Sequence, residues 1–156
     1  MRRSLLFLLV LALLAALAGC SAGSGEPVLE LVSGDQTISL TLRDIQKMPA
    51  LEANAGIMTS TGRMVGPFPV KGVLLTTLLD ELGGVTPDKS VVITASDGYA
   101  MTMSAKQILN GEFITYDPGT GDEIEPLAPL HVILAYETEG ELLDPEQDGS
   151  LRLMVA

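Results

Sequence analysis

Cys20 is the only cysteine of the chain and His131 its only histidine, and nine lysines and arginines face twenty aspartates and glutamates. These counts restrict the chemistry. A lone thiol allows no internal disulfide, and one thiol with one imidazole cannot assemble a sulfur- or nitrogen-rich metal centre. His131 stands at the start of an apolar run without a companion, which suits a structural histidine better than a base or ligand. Asp117-Pro118-Gly119-Thr120-Gly121-Asp122-Glu123 offers oxygen atoms to a hard cation but lacks the Asp-x-Asp-x-Asp-Gly pattern and closing Glu of a calcium loop. It reads as a solvated turn. Arg63 and Arg152 carry forked donors suited to phosphate or oxyanion recognition. The competing reading of Arg152 is an ion pair with a nearby carboxylate that pins the last strand. Asp97-Gly98-Tyr99 reads as a hairpin turn with an aromatic plug. The seven methionines are scattered, which suits core filling better than a copper site. No nucleophile elbow, phosphate-binding glycine loop or metalloprotease helix is present.

The setting of Cys20 gives it a different task. Arg2 and Arg3 precede an unbroken apolar run from Leu5 to Leu17, which is long enough for a signal core. It is short for a span, since a membrane-crossing helix needs about 20 residues. The run ends in Leu17-Ala18-Gly19-Cys20, the lipobox pattern in which small residues fit a peptidase and the thiol accepts diacylglycerol. Residues 1–19 therefore read as a lipoprotein signal peptide, and Cys20 as the lipidation site, carrying acyl chains such as palmitate. Residues 20–27, with Ser21-Ala22-Gly23-Ser24-Gly25, read as a flexible tether. The expected location is the cell envelope, with the domain on the extracytoplasmic side. Which membrane carries the anchor does not follow from the residues.

Cleavage before Cys20 leaves about 137 residues, enough for one domain with a core of its own, expected over residues 28–156. Seven basic residues against twenty acidic ones leave a net charge near −13. Such a surface repels phosphate backbones, so nucleic acid is excluded as a partner. The membrane contact is expected through the lipid alone, and oligomeric state is left open.

The elements that position these residues follow from periodicity and breakers. Val28–Val32 and Thr37–Leu42 read as strands around Ser33-Gly34-Asp35. Thr41 can cap a short helix through Lys47, and Pro49 ends it. Ile57–Ser60 and Met64–Val70 flank the turn Thr61-Gly62-Arg63. Val73–Leu82 predicts a helix, with Val73, Leu74, Leu78 and Leu82 on one face and Gly83-Gly84 as its stop. Val91–Thr94 and Ala100–Met103 form a hairpin through Asp97-Gly98. Ser104 and Gln107 make a capping box for a helix stopped by Asn110-Gly111. Strands are expected at Glu112–Tyr116, Leu130–Tyr136 and Leu151–Val155, with a polar loop at Asp117–Glu125. Short strands with short helices predict an α+β domain with a mixed sheet. The chain stops within the last strand, which implies an edge strand or a longer protein.

Several segments taken in order resemble a known family. They are Lys71-Gly72-Val73-Leu74-Leu75, Ala95-Ser96-Asp97-Gly98-Tyr99, Ile133-Leu134-Ala135-Tyr136 with Gly140-Glu141-Leu142-Leu143, and Asp148-Gly149-Ser150-Leu151-Arg152-Leu153. Together they resemble the oxidoreductase molybdopterin-binding domain of sulfite oxidase and its bacterial relatives, over roughly Ser39–Ala156. The resemblance implies that fold, molybdopterin as cofactor, and Asp97, Tyr99 and Arg152 as cofactor-binding residues. Arg63 joins them as a candidate through its forked donors, and an envelope protein or a redox partner is the expected protein contact. Family enzymes hold molybdenum through a cysteine upstream of the Gly-Val-x-Leu segment. Here that region is Ile57-Met58-Thr59-Ser60-Thr61-Gly62-Arg63, without a thiol, and Ser150 stands where the family has Pro. Thioether and hydroxyl groups are poor replacements for a thiolate, so no Cys-ligated molybdenum is expected.

Three functions remain open from the residues. The first is a membrane-anchored binding or accessory module on the molybdopterin-domain fold. The second is a molybdopterin-dependent oxidoreductase that holds its cofactor through phosphate and pterin contacts. The third is an envelope interaction lipoprotein without a small ligand. The absent cysteine favours the first and third, because a fold does not establish an activity.

Overall fold

The fold, taken from a computed structural model, is described for residues 25–58, 61–117, 119–126 and 128–156. The run expected to be a signal peptide, Cys20, the segment up to Ser24 expected to be part of a tether, and Thr59 and Ser60 lie outside these residues. Among the described residues no helix is long and apolar enough to cross a membrane.

β1 (Pro27–Ser33) and β2 (Gln36–Thr41) form an antiparallel hairpin closed by Gly34-Asp35. Thr41 ends β2 and starts helix α1 (Leu42–Gln46) through a reciprocal cap. The Asp44 N–H donates to Thr41 Oγ1 at 3.2 Å, while the Thr41 hydroxyl and N–H donate back to Asp44 Oδ2 at 2.6 and 3.2 Å. This satisfies donors that a helix start would otherwise leave open. The helix turns Ile45 fully into the core.

The long hairpin of β3 (Ala50–Met58) and β4 (Met64–Leu74) makes up one side of the main sheet, with β3 at its edge. Both strands extend beyond the expected Ile57–Ser60 and Met64–Val70. The predicted helix Val73–Leu82 is correspondingly corrected. β4 runs through Leu74, and helix α2 covers only Leu75–Asp80. Val73, which is fully buried, pairs with Ala50 on one side and Leu134 on the other. An apolar residue there satisfies strand and helix patterns alike, and the two pairing partners decide for the strand. Gly83 and Gly84, both with positive φ, stop the helix as expected, with the Gly84 N–H donating to the Leu79 carbonyl at 2.9 Å.

β5 (Ser90–Thr94) and β6 (Ala100–Ser104) make a second separate hairpin, and Ser104 with Gln107 caps helix α3 (Ala105–Asn110). The expected strand Glu112–Tyr116 shrinks to β7 (Thr115–Tyr116). Part of the expected loop Asp117–Glu125 becomes its partner, β8 (Glu123–Ile124). Asp117 causes this, since its carboxylate and carbonyl fold the chain back and so bring β8 to β7. β9 (Val132–Thr138), β10 (Glu141–Leu142) and β11 (Arg152–Val155) complete the chain.

The main sheet runs β10-β9-β4-β3, with β11 on the same edge of β9 as β10, since β4 occupies the other. The three remaining sheets have two strands each. The α+β class holds, but the expected mixed sheet does not, because every described pairing is antiparallel. Short hairpin connections impose this on β3–β4 and β9–β10, while β4–β9 and β9–β11 pair antiparallel across longer intervening segments. Gly56 and Ile57 of β3 line one concavity with Leu153–Val155 of β11, so the sheet curls its two edges toward each other. Ala55, Val70, Ile133, Ala135 and Met154 fill the inside of this curl. A second cluster lies under the β1–β2 hairpin around Leu31, Ile45, Leu78 and Leu134, and a third under β5–β6 around Leu75, Met103 and Val132. Leu153 packs against both of these.

Candidate functional site

Arg63, Asp97, Tyr99, Arg152, His131 and Asp117 each have a definite place among the described residues. Arg63 lies exposed in the β3–β4 connection. Asp97, Gly98 and Tyr99 form the β5–β6 turn. There the Ala95 N–H donates to the Tyr99 carbonyl at 2.8 Å, and Asp97 Oδ1 accepts from the Tyr99 N–H at 2.9 Å. Gly98 takes a φ of +88°, which a side chain would resist. Tyr99 is 68 % exposed, so its ring is no plug in a core. Arg152 opens β11 opposite Ala135 and pairs through Nη2 with Asp148 Oδ1 four residues earlier. This is the ion pair foreseen as its structural role.

His131 is exposed, and its backbone continues the β9–β11 pairing through two hydrogen bonds with Ala156, at 2.7 and 2.9 Å. Asp117 organises its own loop. Its Oδ1 accepts from the Gly119 and Thr120 N–H groups, both at 2.8 Å, and its carbonyl accepts from Gly121. The Thr120 N–H above all, then that of Gly119, holds the Asp117 carboxyl below its ordinary value. The same logic acts at Asp144, whose carboxylate accepts from the Glu146 N–H, and at Asp88, which accepts from the Thr86 hydroxyl. These acids serve turns. Among the described residues no three His, Cys, Asp or Glu side chains gather as a metal-binding group.

Three concavities are built from described residues, of about 130, 380 and 270 Å³. The first lies between the β1–β2 and β5–β6 hairpins over leucines of α2, β9 and β11, with Glu30 as its one charged residue. The second adjoins it beyond Val32 and Val92 and includes Lys89. The third lies between the curled edges of β3 and β11 and is lined by Met101, Met103 and Met154. None of the three is lined by Arg63, Asp97, Tyr99 or Arg152.

These residues do not fit a thiolate-held molybdenum cofactor. At the end of β3 and in the turn after it, half-buried Ile57 and exposed Thr61, Gly62 and Arg63 supply no thiol. Arg152 is engaged by Asp148, and Lys89 is the only cation lining any of the three concavities. A pterin phosphate therefore finds no convergent pair of cations in them.

Sequence reading missed the grouping of Met101, Met103 and Met154 and the slot between the two hairpins. Both depend on how separate hairpins pack, and strand patterns report only which face of each strand is apolar. Scans of the chain against protein-family models and against curated proteins find no match.

Proposed function

We propose that the chain is an exported lipoprotein whose domain, related in fold to the molybdopterin-binding domain of sulfite oxidase-like enzymes, serves at the membrane surface as a binding or accessory module. The observation that carries this reading is the allocation of the single thiol. The segment Ile57–Arg63, where the resemblance calls for the metal-ligating cysteine, has none, and the only cysteine closes a lipobox. A thiol committed to lipid leaves none for molybdenum. Diacylglycerol and further acyl chains, at about 0.8 kcal/mol per buried CH2, hold such a domain at a bilayer without a spanning helix. The order of the resembling segments and the α+β class support the fold relationship.

Two measurements test it. Full-length protein purified from a host that makes the cofactor is expected to carry neither stoichiometric molybdenum nor pterin. Stoichiometric molybdenum would make it an oxidoreductase and overturn the accessory reading. Labelling cells with radioactive palmitate is expected to mark the wild-type chain and not Cys20→Ser. A Cys20→Ser chain that still takes the label would sink the anchor.

A further inference from the structure

The β1–β2 and β5–β6 hairpins are separate two-stranded sheets, so among the described residues β1 and β5 each keep one edge without a strand partner. Four consecutive residues of β1, Leu29–Val32, and four of β5, Val91–Thr94, line one slot. Side chains on one face of a strand recur at every second position. Consecutive residues therefore share a space only where a strand presents its edge to it. The two edges face each other across the slot, and leucines including Leu78, Leu134 and Leu153 form its floor.

The phase of each ladder says which backbone groups face the slot. The two-residue turn of β1–β2 closes on Ser33 and Gln36, so the hydrogen-bonded pairs are Ser33/Gln36 and Leu31/Ile38. Glu30 and Val32 then direct their N–H and C=O groups away from β2. In β5 the bond between Ala95 and Tyr99 sets the phase, and Val92 and Thr94 direct theirs away from β6. Val32 and Val92 are 63 % and 65 % exposed. Unpaired edges of this kind are templates for an added strand, and covering them satisfies both rows of donors and acceptors.

We propose that this slot binds an extended segment of a partner protein, alternating apolar and basic residues, as a strand inserted between β1 and β5. Backbone pairing with Glu30 and Val32 on one side and Val92 and Thr94 on the other supplies the recognition. Apolar side chains of the segment descend onto the leucine floor. Its basic residues answer Glu30, the one charge in the slot, and the negative excess of the whole domain. The site stands on the hairpin edges alone and holds whichever way the molybdenum analysis falls.

The test titrates the full chain in detergent with a capped, fluorescein-labelled nonapeptide of alternating lysine and valine, read by anisotropy. Saturable binding is expected, weaker in high salt. The same peptide with alternate amides N-methylated is expected to bind at least about tenfold more weakly, the loss of one or two backbone hydrogen bonds. Val92→Pro removes an N–H that β6 does not use, so the hairpin remains while peptide affinity falls by a similar factor. Should that variant unfold, the N-methylated peptide still decides. Absence of binding at millimolar peptide, or equal binding of both peptides, overturns the proposal. So does a dimer by sedimentation in which amide exchange is slowed at both edges, because a second copy then fills the slot.

Discussion

Gly72 of β4 meets the backbone of Leu134 in β9 so closely that only hydrogen fits between them. A Cβ on Gly72 would strike the Leu134 carbonyl oxygen and come within 2.6 Å of Ala135 Cα. The contact lies where the β4–β9 register shifts between Lys71 and Gly72. Gly72→Ala must therefore push apart the two central strands of the main sheet. Urea unfolding is expected to show a loss of about 3 kcal/mol, at the upper end of overpacking costs. A loss below about 0.5 kcal/mol would mean that the strands do not approach as described.

Gly111 and Gly98 separate backbone strain from steric conflict. Both have positive φ, +67° and +88°, but a Cβ at Gly98 meets nothing within 4 Å while one at Gly111 strikes the Leu130 carbonyl. Gly98→Ala is expected to cost roughly 1–2 kcal/mol, the strain alone. Gly111→Ala should cost about 2 kcal/mol more. Equal losses in parallel denaturation curves would contradict the packing of Gly111 on Leu130.

Asp44 gives the acid response a defined contributor. The Thr41 hydroxyl first, then the Lys47 ammonium and the Thr41 N–H, hold its carboxyl at about 2 against an ordinary 3.8. The folded value lies below the unfolded one, so the ionised group stabilises the fold above about pH 4. That contribution disappears as pH falls from about 4 to about 2. Asp44→Asn removes the charge, and its melting temperature should decline less over this window than the wild type's. Identical declines in a pH series of thermal melts would remove Asp44 from the account.

Arg152 and Asp148 form a partly exposed ion pair, with side chains 32 % and 38 % accessible. Pairs of this exposure contribute about 0–1 kcal/mol. Arg152→Ala is accordingly expected to lower stability by less than about 1 kcal/mol, with Asp148→Ala giving no further loss in the double variant. A double-mutant cycle that finds the two effects additive would show that the pair contributes nothing.

The local elements were legible where side chain and backbone act within a few residues. Thr41 with Asp44, Ser104 with Gln107, and Gly83-Gly84 identify helix ends through short-range hydrogen bonds and positive φ, and each cap forms as its residues dictate. The β4–α2 boundary was not legible, because Val73 and Leu74 suit both patterns and only pairing with Ala50, Leu134 and Ile133 makes them strand. Of the candidate site residues, the ion pair of Arg152 was foreseeable from nearby carboxylates. The exposure of Tyr99 was not, since the turn that carries it is compatible with either face.

By itself the sequence determined the apolar run that ends at the only thiol, the acidic excess, the helix caps, and the absence of cysteine from Ile57–Arg63. All of these are properties of residue type and short spacing. Tertiary structure decided that β3 and β11 curl toward each other, that three methionines meet between them, and that β1 and β5 face one slot with their edges unpaired. The physical reason is range. Propensity, capping and charge act along a few residues of chain, whereas the juxtaposition of β1 and β5, some sixty positions apart, arises only when separate hairpins bury their apolar faces on the same helix and sheet.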